Sequence, residues 1–373
     1  MTPTLPRWAD IFLLPIINLI MALIVSGIVI AFIGENPLEA LRVMINGAFF
    51  FGNSLGYTLY YTTNFIFTGL AVAVAFQALL FNIGGEGQAY IGGLFAALAA
   101  FLVGPIFPWY LALPVVVMAA AFGGASWAFI PGVLQAKRDS HIVITTIMFN
   151  FLAAALMVAL LSNTDWLMQP GQQSPQTAPL PETALMPKGA ALFSILGINV
   201  DRTPLNLSFL VGIACLFLYW VLIWRTRLGY EIRAVGKNPD AAKYAGIKVP
   251  RVIIITLLIS GAFAGMMAVN EILGVHGKVI LNFTAGYGFT GIAVALMGRN
   301  HPFGIFLASL LFGALFQGGV ELDFEFTSIT REMVLLIQGL IILFSGALAY
   351  MMQKPLARVL AALLETEEDA TNG

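Results

Sequence analysis

Residues 11–33 run for 23 positions without one charged side chain. An apolar run of about 20 residues is what a helix needs to cross the hydrocarbon core of a bilayer. Similar runs recur down the whole chain, and the charge content shows what they leave over. Only 18 Lys and Arg and 19 Asp and Glu occur in 373 residues, about 10%, where soluble domains carry about 25%. Too few charges remain to cover two or three water-facing domains. This excludes an ordinary soluble enzyme, a fibrous chain and a disordered one. A net charge of -1 argues against a nucleic-acid binder. The expected fold is all-α: a polytopic membrane protein of about ten transmembrane segments, some discontinuous. The segments are 11–33, 61–81, 89–104, 110–131, 142–161, 207–224, 251–270, 280–298, 303–320 and 333–353. Their apolar stretches are continuous and too long for the dyad alternation of barrel strands. Segments 89–104 and 280–298 are short or rich in glycine and polar residues, the signature of half-helices shielded from lipid.

Charge placement gives an orientation. Residues 11–33 read as a retained first span rather than a signal peptide, since no small-residue cleavage site follows. With the N-terminus inside, 13 of the 18 Lys and Arg fall in cytoplasmic stretches, among them Lys137, Arg138 and Lys243. Five fall outside: Arg42, Lys188, Arg202, Lys278 and Arg331. That bias places both termini in the cytoplasm. The domain organisation expected is a membrane domain over 1–353 and a cytoplasmic tail over 354–373. Two loops are long. Residues 162–206 form an external loop, whose polar part, 169–188, reads as surface with little regular structure; 190–197 read as a short apolar surface piece. Residues 225–250 form a basic cytoplasmic loop. Within it Pro239 opens and Gly246 closes a short helix.

Polar residues inside apolar segments carry the functional signal, because each is costly there unless it faces protein or water. The sharpest stretch is Phe81-Asn82-Ile83-Gly84-Gly85-Glu86-Gly87-Gln88. Asn82, Glu86 and Gln88 are candidates for a pathway or gate, against the plainer reading of a turn that locks two helices. Asn150, Tyr287 and Thr290 join them, against helix packing as the alternative. Glu271 and Lys278 are spaced for an ion pair gating the outer mouth, against the plainer reading of exposed loop charges. Phe67-Thr68-Gly69-Leu70-Ala71-Val72-Ala73-Val74 is echoed by Phe289-Thr290-Gly291-Ile292-Ala293-Val294-Ala295-Leu296, which points to similar packing. No catalytic constellation emerges. The single cysteine, Cys215, excludes a disulfide framework, the three histidines share no ligand spacing, and no Walker or HExxH sequence occurs.

The strings FNIGGEGQAYIGG (81–93), TTIMFNFLA (145–153), RLGYEIRAVGKNPDAAKYAGI (227–247) and FTGIAVALMGRNHPFG (289–304) carry a resemblance over 15–353. The chain resembles the membrane permeases of bacterial ABC importers in the branched-chain amino acid/ribose permease superfamily, nucleoside and simple-sugar group. The resemblance implies a non-catalytic transport subunit of the inner membrane that binds no cofactor. ATP and Mg would sit on partner ATP-binding subunits. A second permease subunit and an extracytoplasmic solute-binding protein would complete the importer. It also implies ATPase coupling through Asn238, Pro239, Ala241, Ala242, Tyr244 and Gly246. The alternatives are a gradient-driven secondary transporter and a branched-chain amino acid permease.

Overall fold

The computed structural model describes residues 9, 13–163, 167, 174–190, 203–344 and 355–357. The helices in chain order are α1 (Leu14–Ile33), α2 (Pro37–Phe49), α3 (Ser54–Gln77), α4 (Gly85–Val103), α5 (Trp109–Arg138), α6 (Ile142–Asn163) and α7 (Ser208–Arg225). They continue with α8 (Arg227–Lys237), α9 (Pro239–Tyr244), α10 (Val249–Ala268), α11 (Tyr287–Met297), α12 (Pro302–Glu325) and α13 (Arg331–Ile342). Eight helices among the described residues are long and apolar enough to cross a membrane, and no sheet forms. The segment expected at 280–298 holds the shorter apolar helix α11, and α13 runs into the part of 333–353 that is described, 333–344. Two expectations change. The segment expected at 89–104 is a continuous 19-residue helix, so only 280–298 contains a half-helix. Helix α2 lies outside the expected segments; Asn36 caps it by accepting from the Leu38 amide at 3.0 Å.

The chain divides into two compact units, 1–51 with 315–373, and 52–314. In the first, α1 shows Ile16, Ile20, Ile24 and Ile28 half exposed at every fourth residue, a lipid-facing stripe at helical period. Its neighbour α2 packs closely on α12, where Gly47 meets Glu321 and Gly318 meets Met44.

The second unit is built around α3, α4, α5 and α10. α5 and α10 touch backbone to backbone: a Cβ on Gly124 would lie 2.8 Å from the Gly265 Cα, and one on Gly265 would lie 3.0 Å from the Gly124 Cα. Such contact is open only to glycine and is how helices associate where lipid removes the hydrophobic drive. The sequence echo has the same cause. Its two copies lie on α3 and α11 and face each other. A Cβ on Gly69 would press on Val294 at 2.8 Å, and one on Gly291 on Thr68 at 2.6 Å.

The helices break at two places that fix the site. Between α3 and α4, residues 78–84 leave the helix, with Leu79 at φ 54. Past α10 the backbone widens into a π turn, Val269–His276, then runs irregularly to Gly286, with Asn282 at φ 58 and Ala285 at φ 46. Non-glycine residues in this left-handed region carry strain, which clusters at functional positions. Among its described residues, the 162–206 loop differs from the exposed, irregular strip expected. Thr177 donates its amide to Val279 O at 3.0 Å, Leu180 to Gly277 O at 2.8 Å and Met186 to Leu273 O at 2.9 Å. Leu180, Ala184 and Met186 are buried against the ends of α4 and α10. The surface piece expected at 190–197 lies largely outside the described residues, as does most of the tail.

Candidate functional site

The first break is held by an amide clasp. Asn82 Nδ2 donates to Gln88 Oε1 at 3.0 Å and to Ser260 Oγ at 2.8 Å. Asn82 Oδ1 accepts from the Gly84 amide at 2.9 Å and from Gln88 Nε2 at 3.1 Å. Ser260 in turn donates to Ala71 O at 2.6 Å. Ser260 is eleven residues past Val249, the start of α10, about 16 Å along a helix. The chain therefore re-enters between α3 and α4, and α4 starts deep within the helical bundle. Asn150 on α6 completes the brace, donating to Ile83 O and accepting from the Gly87 amide, both at 2.9 Å.

The half-helix α11 starts at the same place. A Cβ on Gly85 would sit 3.4 Å from the Gly288 Cα, so the N-termini of α4 and α11 meet. Beside them lies a cavity of about 380 Å³, walled by Glu86, Tyr90, Asn150, Asn282, Thr284 and Gly286 with apolar Ile147, Phe151, Ala154 and Phe289. Of the six expected pathway residues, Glu86 and Asn150 line this cavity. Asn82 and Gln88 lie behind it, spending their polar atoms on each other. Thr290 bonds back to Gly286 O at 3.3 Å. Tyr287 packs its ring edge-on against Tyr61 and Phe65, with centroids 6.3 and 5.6 Å apart.

A second polar cluster surrounds the π turn. Glu271 is 2% exposed, and its Oε1 accepts from Tyr60 Oη and Asn64 Nδ2, both at 2.5 Å. His276 Nε2 lies 3.3 Å from its other oxygen. The ion pair expected between Glu271 and Lys278 is thus replaced by one buried carboxylate shared among Tyr60, Asn64 and His276. Asn270 Oδ1 accepts from Asn206 Nδ2 at 2.9 Å and Ser208 Oγ at 2.7 Å, and Asn270 Nδ2 donates to Asn64 Oδ1 at 2.8 Å. A cavity of about 440 Å³, walled by Tyr57, Tyr60, Tyr61, Lys188 and Thr203, adjoins this network. Tyr60, Asn64, Asn206 and Ser208 are not among the residues expected from sequence. Their partners are 62 to 211 residues away along the chain, and the one available signal was a polar residue every third or fourth position along α3.

At the opposite end, Gln77, Tyr219 and Asn300 join through Tyr219 Oη to Asn300 O at 2.7 Å and Gln77 Nε2 to Tyr219 Oη at 3.2 Å. Here α8 follows α7 directly: Thr226 caps it by accepting from the Gly229 amide at 3.0 Å. Asn238 Oδ1 caps α9, accepting from the Asp240 and Ala241 amides at 3.0 Å each. Gly246, at φ 81, turns the chain out of the helix toward α10, the conformation glycine adopts without cost. This matches the helix expected from Pro239 and Gly246. Asn238, Pro239, Ala241, Tyr244 and Gly246 are exposed, Tyr244 to 95%, whereas Ala242 is 3% exposed and packs inward.

Residues 54–346 match the family described as the branched-chain amino acid transport system / permease component. The chain is 36% identical to the guanosine ABC transporter permease protein NupP of Bacillus subtilis, over 92% of this chain and 96% of that one. It is 35% identical to the glucose ABC transporter permease protein TsgB13 of Haloferax volcanii, over 91% and 88%. It is 32% identical to the nucleoside ABC transporter permease protein NupB of Lactococcus lactis, over 89% and 90%. Similarity of this extent, on a fold of membrane-crossing helices broken beside a cavity walled by Glu86 and Asn150, makes the chain a member of this permease family and the non-catalytic membrane subunit of an ABC importer.

Proposed function

We propose that this permease carries nucleosides inward across the cytoplasmic membrane. Its partners would be a second permease subunit, ATP-binding subunits that hold ATP and Mg, and an extracytoplasmic solute-binding protein. Full-length similarity to guanosine and nucleoside permeases is the observation that carries the reading. The Glu86 cavity supports it, since broken helices that converge within the bundle are where transporters place substrates. Glu86 and Asn150 would line the path, and Asn82 and Gln88 would hold its wall in shape. Tyr287 and Thr290, on the half-helix, would move with it.

The end carrying α8 and α9 would face the cytoplasm, because the basic residues of 225–250 gather there. Exposed Tyr244 and Ala241 would enter a groove of the ATPase, with Asn238, Pro239 and Gly246 shaping the helix that presents them. Ala242 would anchor that helix to its own chain. ATP-driven motion would reach the path through α10, which starts five residues after Tyr244 and ends at the Asn270–Glu271 network.

Simple sugars form the second reading, favoured by the similarity to the glucose permease. Uptake of labelled guanosine and of labelled glucose by cells with the transporter and its partners, against cells lacking this chain, tests the choice. Loss of guanosine uptake alone is expected. Loss of glucose uptake alone would replace nucleosides with sugars.

A further inference from the structure

The open cavity beside the N-termini of α4 and α11 is walled by a polar group that the surrounding protein does not satisfy. Glu86 is 5% exposed, and neither of its carboxylate oxygens has a hydrogen-bond partner. Thr284 and the backbone of Gly286 and Gly288 approach the carboxylate. A buried acid without partners is costly, so its retention at a cavity wall calls for a ligand. The neighbouring polar walls are already engaged. Asn150 bonds Ile83 O and the Gly87 amide, and Asn282 Oδ1 accepts from Tyr90 Oη at 3.0 Å.

The surroundings narrow the ligand's chemistry. A metal ion needs several oxygen ligands, and no group of three His, Cys, Asp or Glu side chains occurs among the described residues. The N-termini of α4 and α11, both positive dipole ends, also meet beside Glu86, which disfavours a cation there. A hydroxyl-rich sugar would leave most of its hydroxyls against Ile147, Phe151, Ala154 and Phe289, at a desolvation cost. A planar, uncharged heterocycle meets both demands. Adjacent N–H groups on one edge can donate to the two oxygens, and its faces can lie on Phe151 and Phe289, which are 67% and 50% exposed.

We propose that Glu86 reads the hydrogen-bond-donating edge of a nucleobase, making this cavity a base-recognition subsite within the permease. The proposal rests on the nucleoside reading above and deepens it. It assigns base discrimination to the permease itself, in addition to any made by a separate binding protein.

The test is equilibrium binding of labelled guanosine, adenosine and glucose to the permease–ATPase complex in nanodiscs, without the binding protein. Guanosine offers adjacent N–H and NH2 donors. Adenosine places an acceptor beside its NH2. The wild-type complex should bind guanosine more tightly than adenosine. Glu86→Gln, which replaces one acceptor by a donor, should weaken guanosine by tenfold or more and leave adenosine within about threefold. Glu86→Asp keeps both acceptors and should keep the preference for guanosine, and it guards against a glutamine variant that fails to assemble. Equal loss of guanosine and adenosine in Glu86→Gln would overturn the subsite while leaving the nucleoside reading intact. So would no change in either, or no binding of any probe to the wild type alongside normal guanosine uptake by cells. Binding of glucose without guanosine would overturn both.

Discussion

At the scale of single residues, two kinds of buried group do different work. Glycines such as Gly124 and Gly265 let α5 and α10 touch backbone to backbone. Gly265→Val should therefore cost about 3 kcal/mol through overpacking, seen as a lower melting temperature in detergent and less protein in the membrane. A melting temperature equal to wild type would mean the helices can separate without penalty. Buried amides and carboxylates hold the breaks. Asn82→Ala strips Gln88 of its partner and Ser260 of one donor and should cost about 1–3 kcal/mol. Gln88→Ala should likewise act first on stability, because its side chain faces Asn82. A fall in uptake with unchanged thermal stability would return Gln88 to the path. Glu271→Ala leaves Tyr60 and Asn64 without their acceptor and should lower the melting temperature more than His276→Ala, which removes a partner that is 30% exposed. The reverse order would show that His276, rather than the α3 donors, anchors the carboxylate.

At the scale of elements, the apolar runs were legible because helix length and bilayer thickness are the same physical constraint. The short α9 was legible too, because Pro239 and Gly246 act through their own backbone. What stayed hidden depends on distant partners. Glu271 looked like an exposed loop charge until α3 supplied Tyr60 and Asn64, and Lys278 looked like its mate only because it was near in sequence. By composition the 162–206 loop reads as surface with little regular structure, yet a few buried apolar residues, Leu180, Ala184 and Met186, seat it on the helix ends. Glu86 and Asn150 were read from their cost in the membrane, but that they share a cavity while Asn82 and Gln88 share a clasp required the fold. The burial of Ala242 also divides α9 by face. Ala242→Asp should destabilise the α8–α9 loop itself. Tyr244→Ala, altering a side chain that is 95% exposed, should leave the melting temperature unchanged and reduce ATPase co-purification several-fold. Equal recovery of the ATPase from Tyr244→Ala and wild type would move the contact elsewhere.

At the scale of the whole molecule, the account joins the Glu86 cavity to a helix exposed at the basic end, through α10. An energy source outside the chain is the central claim, since nothing in the sequence resembles a nucleotide-binding motif. Gentle detergent extraction of the tagged protein from its native membrane, followed by mass spectrometry of everything retained, tests it most directly. The account predicts recovery of a Walker-motif ATPase together with a second permease subunit and a solute-binding protein. Recovery of this chain alone, active on reconstitution and silenced by collapsing an ion gradient, would contradict it.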